Sequence, residues 1–153
     1  MTTSNLVEEL SGAPSRHGLL EDIGSLHEGR TRLDLEGFRF DPIRHLPLYV
    51  FNLIDDDGAL VGQYHFAPGA PEAVGEIGNA GGYVEAAYRN RGHSKEAIKA
   101  LGELASRHGM DSFIITCPKD NDAARKALDQ VGTNMANRDG DICFYEIPAS
   151  KSN

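Results

Sequence analysis

The sequence predicts a mixed α/β fold in which one central sheet is flanked by helices. Two observations predict it: residues 48–66 have the composition of an antiparallel hairpin, and the chain from residue 76 alternates strand, helix, strand, helix, strand. The chain has 153 residues, of which 40% are hydrophobic and 25% charged. That size and composition suit one core, so we expect residues 1–153 to form a single domain.

The N-terminal segment is expected to consist of helical and loop material. Residues 1–30 contain two groups of apolar residues at helical spacing. The second group is Leu19, Leu20, Ile23 and Leu26. From residue 31 the pattern changes to alternation, but Gly37, Pro42 and Pro47 are expected to break residues 37–47 into short extended pieces.

The clearest local signal is the hairpin. Residues 48–54 are rich in β-forming residues, residues 55–58 read Asp-Asp-Asp-Gly, and residues 59–66 form the return strand. A loop rich in Gly, Ala and Pro then covers residues 67–74. A further strand is predicted over residues 76–84, where three glycines indicate a bulge or a close approach of another backbone.

Two amphipathic helices alternate with the last strands. The first covers residues 94–108 and is followed by Gly109, a residue typical of a helix C-terminus. Residues 112–117 form a short apolar run that fits a buried strand. The second helix is capped by Asp120 or Asn121 and stops at Gly132. A final strand covers residues 142–147, and residues 149–153 are expected to fray.

Charge and cysteine content narrow the classes of partner. The net charge is −8, which disfavours nonspecific binding to nucleic acid or to a membrane surface. Residues 89–126 nevertheless carry eight cations and five anions, so an anionic cofactor could bind there, although solvated helix faces give the same pattern. The sequence predicts neither a membrane span nor a signal peptide, and the two cysteines, Cys117 and Cys143, predict neither a disulfide framework nor a metal site. We therefore expect a cytoplasmic protein without a metal.

Residues 83–97 combine the features of an anion site. The segment passes from a strand through a cationic turn into a helix, whose first N–H groups have no intrahelical partner. Gly92 would let the backbone approach a phosphate, and Arg89, Arg91 and Lys95 add positive charge. The alternative is a basic strand-to-helix connection that binds nothing.

Two segments resemble signatures of the GNAT acetyltransferase superfamily. Residues 89–94, Arg-Asn-Arg-Gly-His-Ser, are similar to its pyrophosphate loop, Arg/Gln-x-x-Gly-x-Gly/Ala. Asn121, Ala124 and Gly132 have the spacing of its second signature. The resemblance covers about residues 48–147 and implies a GNAT-like, mostly antiparallel sheet in which two parallel strands, 76–84 and 112–117, splay apart.

The resemblance also implies a cofactor and the residues that bind it. Acetyl-CoA would lie between the splayed strands as the co-substrate. Its pantetheine arm would bind the backbone near Tyr83 and Val84, and Asn121 would contact the same arm or help to position the acetyl thioester. Its pyrophosphate would bind the loop residues Arg89, Arg91, Gly92, His93 and Ser94.

The sequence contains several candidates for the catalytic groups. Leu128 stands where many members of the superfamily place a tyrosine that protonates the leaving thiolate, and Tyr145 and Tyr88 are the candidate replacements. Glu76, expected at the start of the strand that carries the acetyl group, is the first candidate base, and His65 is the second. Each of these residues also has an ordinary structural interpretation.

The expected function is transfer of acetyl from acetyl-CoA to a primary amine, by direct attack in a ternary complex. The acceptor would be a small molecule or a peptide amine, and the acidic remainder of the chain favours a cationic one. The alternatives are a non-catalytic domain that binds or senses acyl-CoA and an unrelated module for another phosphorylated ligand. A homodimer is among the expected assemblies, without nucleic acid or membrane as partners.

Overall fold

The computed structural model of the chain describes residues 18–20, 22–70, 74–135 and 140–150, with the exception of the Glu76 side chain. Its strands are β1 (Ser25–Glu28), β2 (Thr31–Asp41), β3 (Leu46–Asp55), β4 (Leu60–Phe66), β5 (Ala80–Val84), β6 (Ser112–Pro118), β7 (Thr133–Asn134) and β8 (Ile142–Pro148). The α-helices are α1 (His93–Arg107) and α2 (Asp122–Val131), and short 3₁₀ helices cover Gly75–Ile77 and Ala86–Tyr88.

The eight strands form one sheet in the order β1-β2-β3-β4-β5-β6-β8-β7. Every adjacent pair is antiparallel except β5 and β6, which are parallel. These two strands are in register at one pair of residues, Ala80 and Ile115, and then diverge. The predicted fold class, a mostly antiparallel mixed sheet with a splayed parallel pair, is confirmed.

Local sequence accounts for the hairpin and the helices. The Asp55 carboxylate accepts the backbone N–H groups of Asp57 and Ala59 at 2.9 Å each, which fixes the turn between β3 and β4. The Asn121 side chain accepts the N–H of Ala124 and caps α2, as predicted. Helix α1 buries one face of apolar residues and ends before Gly109, also as predicted.

Both α-helices pack on the same face of the sheet. Tyr64 of β4 hydrogen-bonds to Ser94 of α1, and Tyr145 of β8 hydrogen-bonds to Asp129 of α2. The buried side chains on this face form one continuous hydrophobic core. In the part of the chain that the structure describes, no α-helix covers the opposite face, which we call the helix-free face. Neither described helix is long and apolar enough to cross a membrane.

Two expectations for the N-terminal third are corrected. Residues 1–17 and 21 lie outside the described residues, but the second apolar group does not form the predicted helix, since Leu26 lies in β1. The apolar residues of this group instead contribute to the hydrophobic core, where Leu19, Ile23 and Leu26 are all buried. Strand β2 is not broken at Gly37, because a bulge between Leu35 and Gly37 absorbs one residue and pairing with β3 continues.

Two further boundaries differ from prediction. The strand expected from Glu76 begins at Ala80, and Glu76 lies in the preceding 3₁₀ helix. Asn79, which is 2% exposed, fixes this change: its side chain donates to the carbonyls of Ala67 and Gly69 and accepts the N–H of Ile114. At the C-terminus, the backbone N–H groups of residues 149 and 150 are hydrogen-bonded, so these two residues are not frayed.

Candidate active site

The divergence of β5 and β6 leaves one side of β5 without a strand partner. The hydrogen bonds Ala67 N to Asn79 O and Glu85 N to Val61 O, both 2.7 Å, show that the odd-numbered residues of β5 pair with β4. Pairing alternates along an antiparallel strand, so the backbone groups of Gly82 and Val84 point into the opening. The Val84 carbonyl accepts the Arg89 Nε–H at 3.0 Å there.

In this register, the backbone groups of the two cofactor residues predicted on β5 point to opposite sides of the strand. Val84 has its backbone groups in the opening, whereas the backbone groups of Tyr83 face Gln63 of β4. The Tyr83 side chain is 49% exposed and lies on the helix-free face. Gly82, which the sequence marked as one of three strand glycines but not as a cofactor residue, takes the position facing the opening. A Cβ on Gly82 would lie 2.4 Å from the Tyr64 ring, so only glycine fits.

The loop before α1 has the backbone geometry of an anion site. Asn90 and Gly92 have positive φ angles of 66° and 87°. The first intrahelical bond runs from Glu96 N to Gly92 O at 3.0 Å, so the N–H groups of residues 93–95 have no partner within the helix. These groups and the helix dipole favour a phosphate at this end, which is the wide end of the opening.

The side chains around this loop have distinct positions. The Arg91 guanidinium lies 5.5 Å from the centre of the Tyr88 ring, which holds it at the rim. The Ser94 hydroxyl accepts the Tyr64 hydroxyl at 3.2 Å, so its own proton is left to donate to a ligand. Arg89 is tied to Val84, at the junction of strand and loop.

His93 has a different environment from the other loop residues. Its side chain is 5% exposed, and its Nδ1 lies 2.7 Å from the hydroxyl of Thr31, which itself donates to Glu96 at 2.7 Å. The imidazole therefore ties the start of α1 to β2. What His93 can present to a phosphate is its backbone N–H.

The residues predicted around the thioester are also placed. Asn121 is exposed and its oxygen caps α2. Leu128 is buried, and Tyr145 is fully buried with its hydroxyl donating to Asp129 at 2.9 Å. Burial and this interaction with Asp129 raise the pKa of Tyr145 to about 12. Tyr145 is thus a hydrogen-bond donor that holds its proton strongly.

A concavity adjoins the narrow end of the opening on the helix-free face. We call it the acceptor cavity; its volume is about 430 Å³. It is lined by Asp41, Arg44, Leu48, Val50, Gln63, Tyr64, His65, Ile77, Gly82 and Tyr83. Thr116 of β6 donates to the Ile77 carbonyl at 3.2 Å, which holds the 3₁₀ helix beside the opening.

His65 is the predicted base that the structure brings to this cavity. It pairs with Gly81 in the register of β4 and β5, and a Cβ on Gly81 would lie 3.0 Å from the imidazole. Burial, and secondarily the charge of Arg44, lowers its pKa below the ordinary histidine value. The ring is therefore neutral at pH 7. Glu76 is close in sequence to Ile77 of the cavity wall and stays a prediction.

Comparison with known proteins identifies this arrangement. The model of the acetyltransferase (GNAT) family matches residues 18–132. The chain belongs to this family. The predicted class of enzyme, an acyltransferase that uses acetyl-CoA as co-substrate, is thereby confirmed. No curated protein sequence matches the chain.

Solved structures share the fold at low sequence identity. The GNAT domain of S. lividans PAT matches with a TM-score of 0.55 at 12% identity, over 66% of this chain and 60% of that one. An acyl-CoA N-acyltransferase from Klebsiella pneumoniae subsp. pneumoniae MGH 78578 matches with 0.53 at 15%, over 73% and 77%. The yncA acetyltransferase of Salmonella typhimurium, solved with its cofactor acetyl-CoA, matches with 0.50 at 16%, over 69% and 66%. The chain thus covers less than two thirds of the S. lividans and Salmonella chains.

Proposed function

We propose that the chain transfers an acetyl group from acetyl-CoA to the nitrogen of a primary amine by direct attack. One observation carries this proposal: β5 and β6 separate from a single register pair, with a cationic helix N-terminus at the wide end and a cavity at the narrow end. From Ala80 to Val84 the strand spans about 13 Å. A pantetheine arm laid along this length would join the two sites.

The residues present fit acetyl-CoA. The N–H groups at the start of α1, together with Arg91 and Ser94, would hold the pyrophosphate. The backbone groups of Gly82 and the N–H of Val84, which have no strand partner, would bind the amides of the arm. When bound, acetyl-CoA supplies an acetyl group activated as a thioester at the narrow end.

His65 in the acceptor cavity is the proton acceptor that we infer for this reaction. An amine entering from the helix-free face would meet His65, whose neutral imidazole takes the proton lost as the carbon–nitrogen bond forms. Its nitrogens make no hydrogen bond to another residue in the described ranges, so a lone pair is available to the amine. The carbon–sulfur bond breaks, and the sulfur leaves as a thiolate.

Direct attack is favoured because the two cysteines are poor nucleophiles. Cys117 and Cys143 are 6% and 7% exposed. Burial raises the pKa of Cys117 to about 11, so its thiol stays protonated at neutral pH. An acetyl-enzyme on either cysteine is therefore not expected.

The test is release of CoA from acetyl-CoA with a panel of primary amines, with the matching alcohols as controls. We expect CoA release with some amines, and a product heavier by one acetyl group. Intact-protein mass spectrometry after incubation with acetyl-CoA alone should show no acetylated chain. Tight binding of acetyl-CoA without turnover of any amine would contradict the proposal.

A further inference from the structure

The walls of the acceptor cavity are mainly apolar, although the cavity is open to solvent. Leu48 and Val50 of β3 form its floor, while Ile77 and Tyr83 remain 51% and 49% exposed at its rim. Large apolar side chains left exposed around one concavity mark a surface that contacts a ligand. An apolar ligand body would cover them.

The charged residues in the cavity neutralise each other. Arg44 and Asp41 form an ion pair at 2.7 Å, and their side chains are only 11% and 18% exposed. The Asp41 carboxylate also accepts the N–H groups of Ile43 and Arg44. Arg44 Nη1 donates to the carbonyls of Val74 and Gly78. This pair is therefore committed to holding the loop between β2 and β3.

The remaining polar groups of the lining carry no negative charge. Gln63 donates its amide to Asn52 at 2.9 Å, and His65 is neutral. Among the cavity-lining residues that the structure describes, no carboxylate is left for a second ammonium group. An ammonium placed there without a counter-charge would lose hydration and gain no partner.

We propose that the acceptor is a small primary amine on an apolar body, and not a polyamine or another dication. The inference rests on the proposed function, since it assumes that the acceptor enters this cavity. A volume of about 430 Å³ lies at the lower end of the range of ligand pockets and suits one small body. The inference narrows the expectation of a cationic acceptor to one with a single amine group, because Asp41, the one carboxylate of the described lining, is paired with Arg44.

The direct test compares hexylamine with 1,6-diaminohexane, which have equal chain length but differ in the terminal group. The second ammonium group of diaminohexane stays in water and keeps about two neighbouring methylenes exposed. Burial of each methylene raises kcat/KM about fourfold, so the loss of two costs more than tenfold. We expect kcat/KM for hexylamine to exceed that for diaminohexane at least tenfold. Equal values, or a preference for the diamine, would overturn the inference.

Three variants test whether the preference for hexylamine arises in the acceptor cavity. Ile77→Ser should lower kcat/KM for hexylamine about fivefold or more and leave CoA affinity unchanged. Ile43→Ser is the matched control, because Ile43 is 85% exposed and does not line the cavity. Gln63→Glu adds a carboxylate of nearly the same size and should raise the relative kcat/KM of the diamine. An unchanged preference in both Ile77→Ser and Gln63→Glu would place the acceptor elsewhere.

A binding measurement separates the inference from the proposed function. In the presence of CoA, hexylamine should raise the Tm of the wild type and of Ile43→Ser, but not of Ile77→Ser. This shift without acetylation of either amine would support the apolar cavity and contradict the proposed reaction. Acetylation of diaminohexane without any shift by hexylamine would support the reaction and overturn the apolar acceptor.

Discussion

Gly92→Ala should weaken CoA binding, whereas a matched glycine-to-alanine change elsewhere should weaken only the fold. Gly92 has φ of 87°, a left-handed conformation that costs a residue with a Cβ about 1–2 kcal/mol. No protein atom lies within 4 Å of the added Cβ, so the fold itself has room for it. The methyl group would instead meet the phosphate, or the loop would relax and turn its N–H groups away.

The expected loss of CoA affinity is at least tenfold, or about 1.4 kcal/mol, measured by calorimetry. Gly58→Ala provides a matched control, because Gly58 has φ of 86° and equally open surroundings in the turn between β3 and β4. Both variants should lower the Tm by a similar amount, about 2–8 °C. If Gly92→Ala binds CoA as tightly as Gly58→Ala does, the loop before α1 is not the phosphate site.

Three further predictions concern buried groups. His65→Gln should lower kcat at pH 7 about a hundredfold, with partial recovery as the pH approaches the pKa of the amine. The control His27→Gln, on the exposed edge strand β1, should have no effect on kcat. Equal rates for the two variants would show that His65 is not the base. Tyr49→Phe should lower the free energy of unfolding, measured in urea, by about 1–3 kcal/mol without changing CoA affinity. The reason is that the buried Tyr49 hydroxyl accepts the Leu20 N–H and lies 2.7 Å from His108 Nε2. Unchanged stability would refute this role of the hydroxyl. The free energy of unfolding should also decrease as the pH falls through about 6.5. Burial lowers the pKa values of His65 and His108 in the folded state, so the unfolded chain binds more protons in this pH range. Urea titrations at pH 7.5 and 5.5 should show this difference, and the double variant His65→Gln/His108→Gln should reduce it; an equal difference in both proteins would assign it to other groups.

The elements that local sequence controls could be predicted. The hairpin depends on a turn sequence, and the ends of the two helices depend on Asn121 and on the glycines that flank them. These signals act over a few residues, so they are visible in the sequence alone. The parallel pairing of β5 and β6 came from the resemblance to a family.

The errors arose where distant residues decide the local structure. The start of β5 depends on Asn79, whose side chain bonds to Ala67 and to Ile114 across the sheet. Strand β2 continues through a glycine because β3 pairs with it along its whole length. The periodicity of a sequence carries no information on such contacts, because they join residues far apart in the chain.

The candidate site shows the same division. The loop from Arg89 to Ser94 was found because its chemistry is contiguous. The cavity was not found, because it is assembled from four strands, β2 to β5, from the loop between β2 and β3, and from the 3₁₀ helix Gly75–Ile77. The contact between Gly82 and the Tyr64 ring was not predicted, for the same reason. Their relation is visible in the sequence only once the register of β4 and β5 is known.

The most direct test of the central claim is amide hydrogen exchange, resolved to single residues by NMR, with and without CoA. If the pantetheine arm lies in the opening, CoA should slow exchange at Gly82 and Val84 and at the N–H groups of residues 93–95. Gly81 and Tyr83 already pair with β4 and should change little. Protection that spares Gly82 and Val84 and appears instead around the other large concavity, near His108 and Met110, would contradict the account.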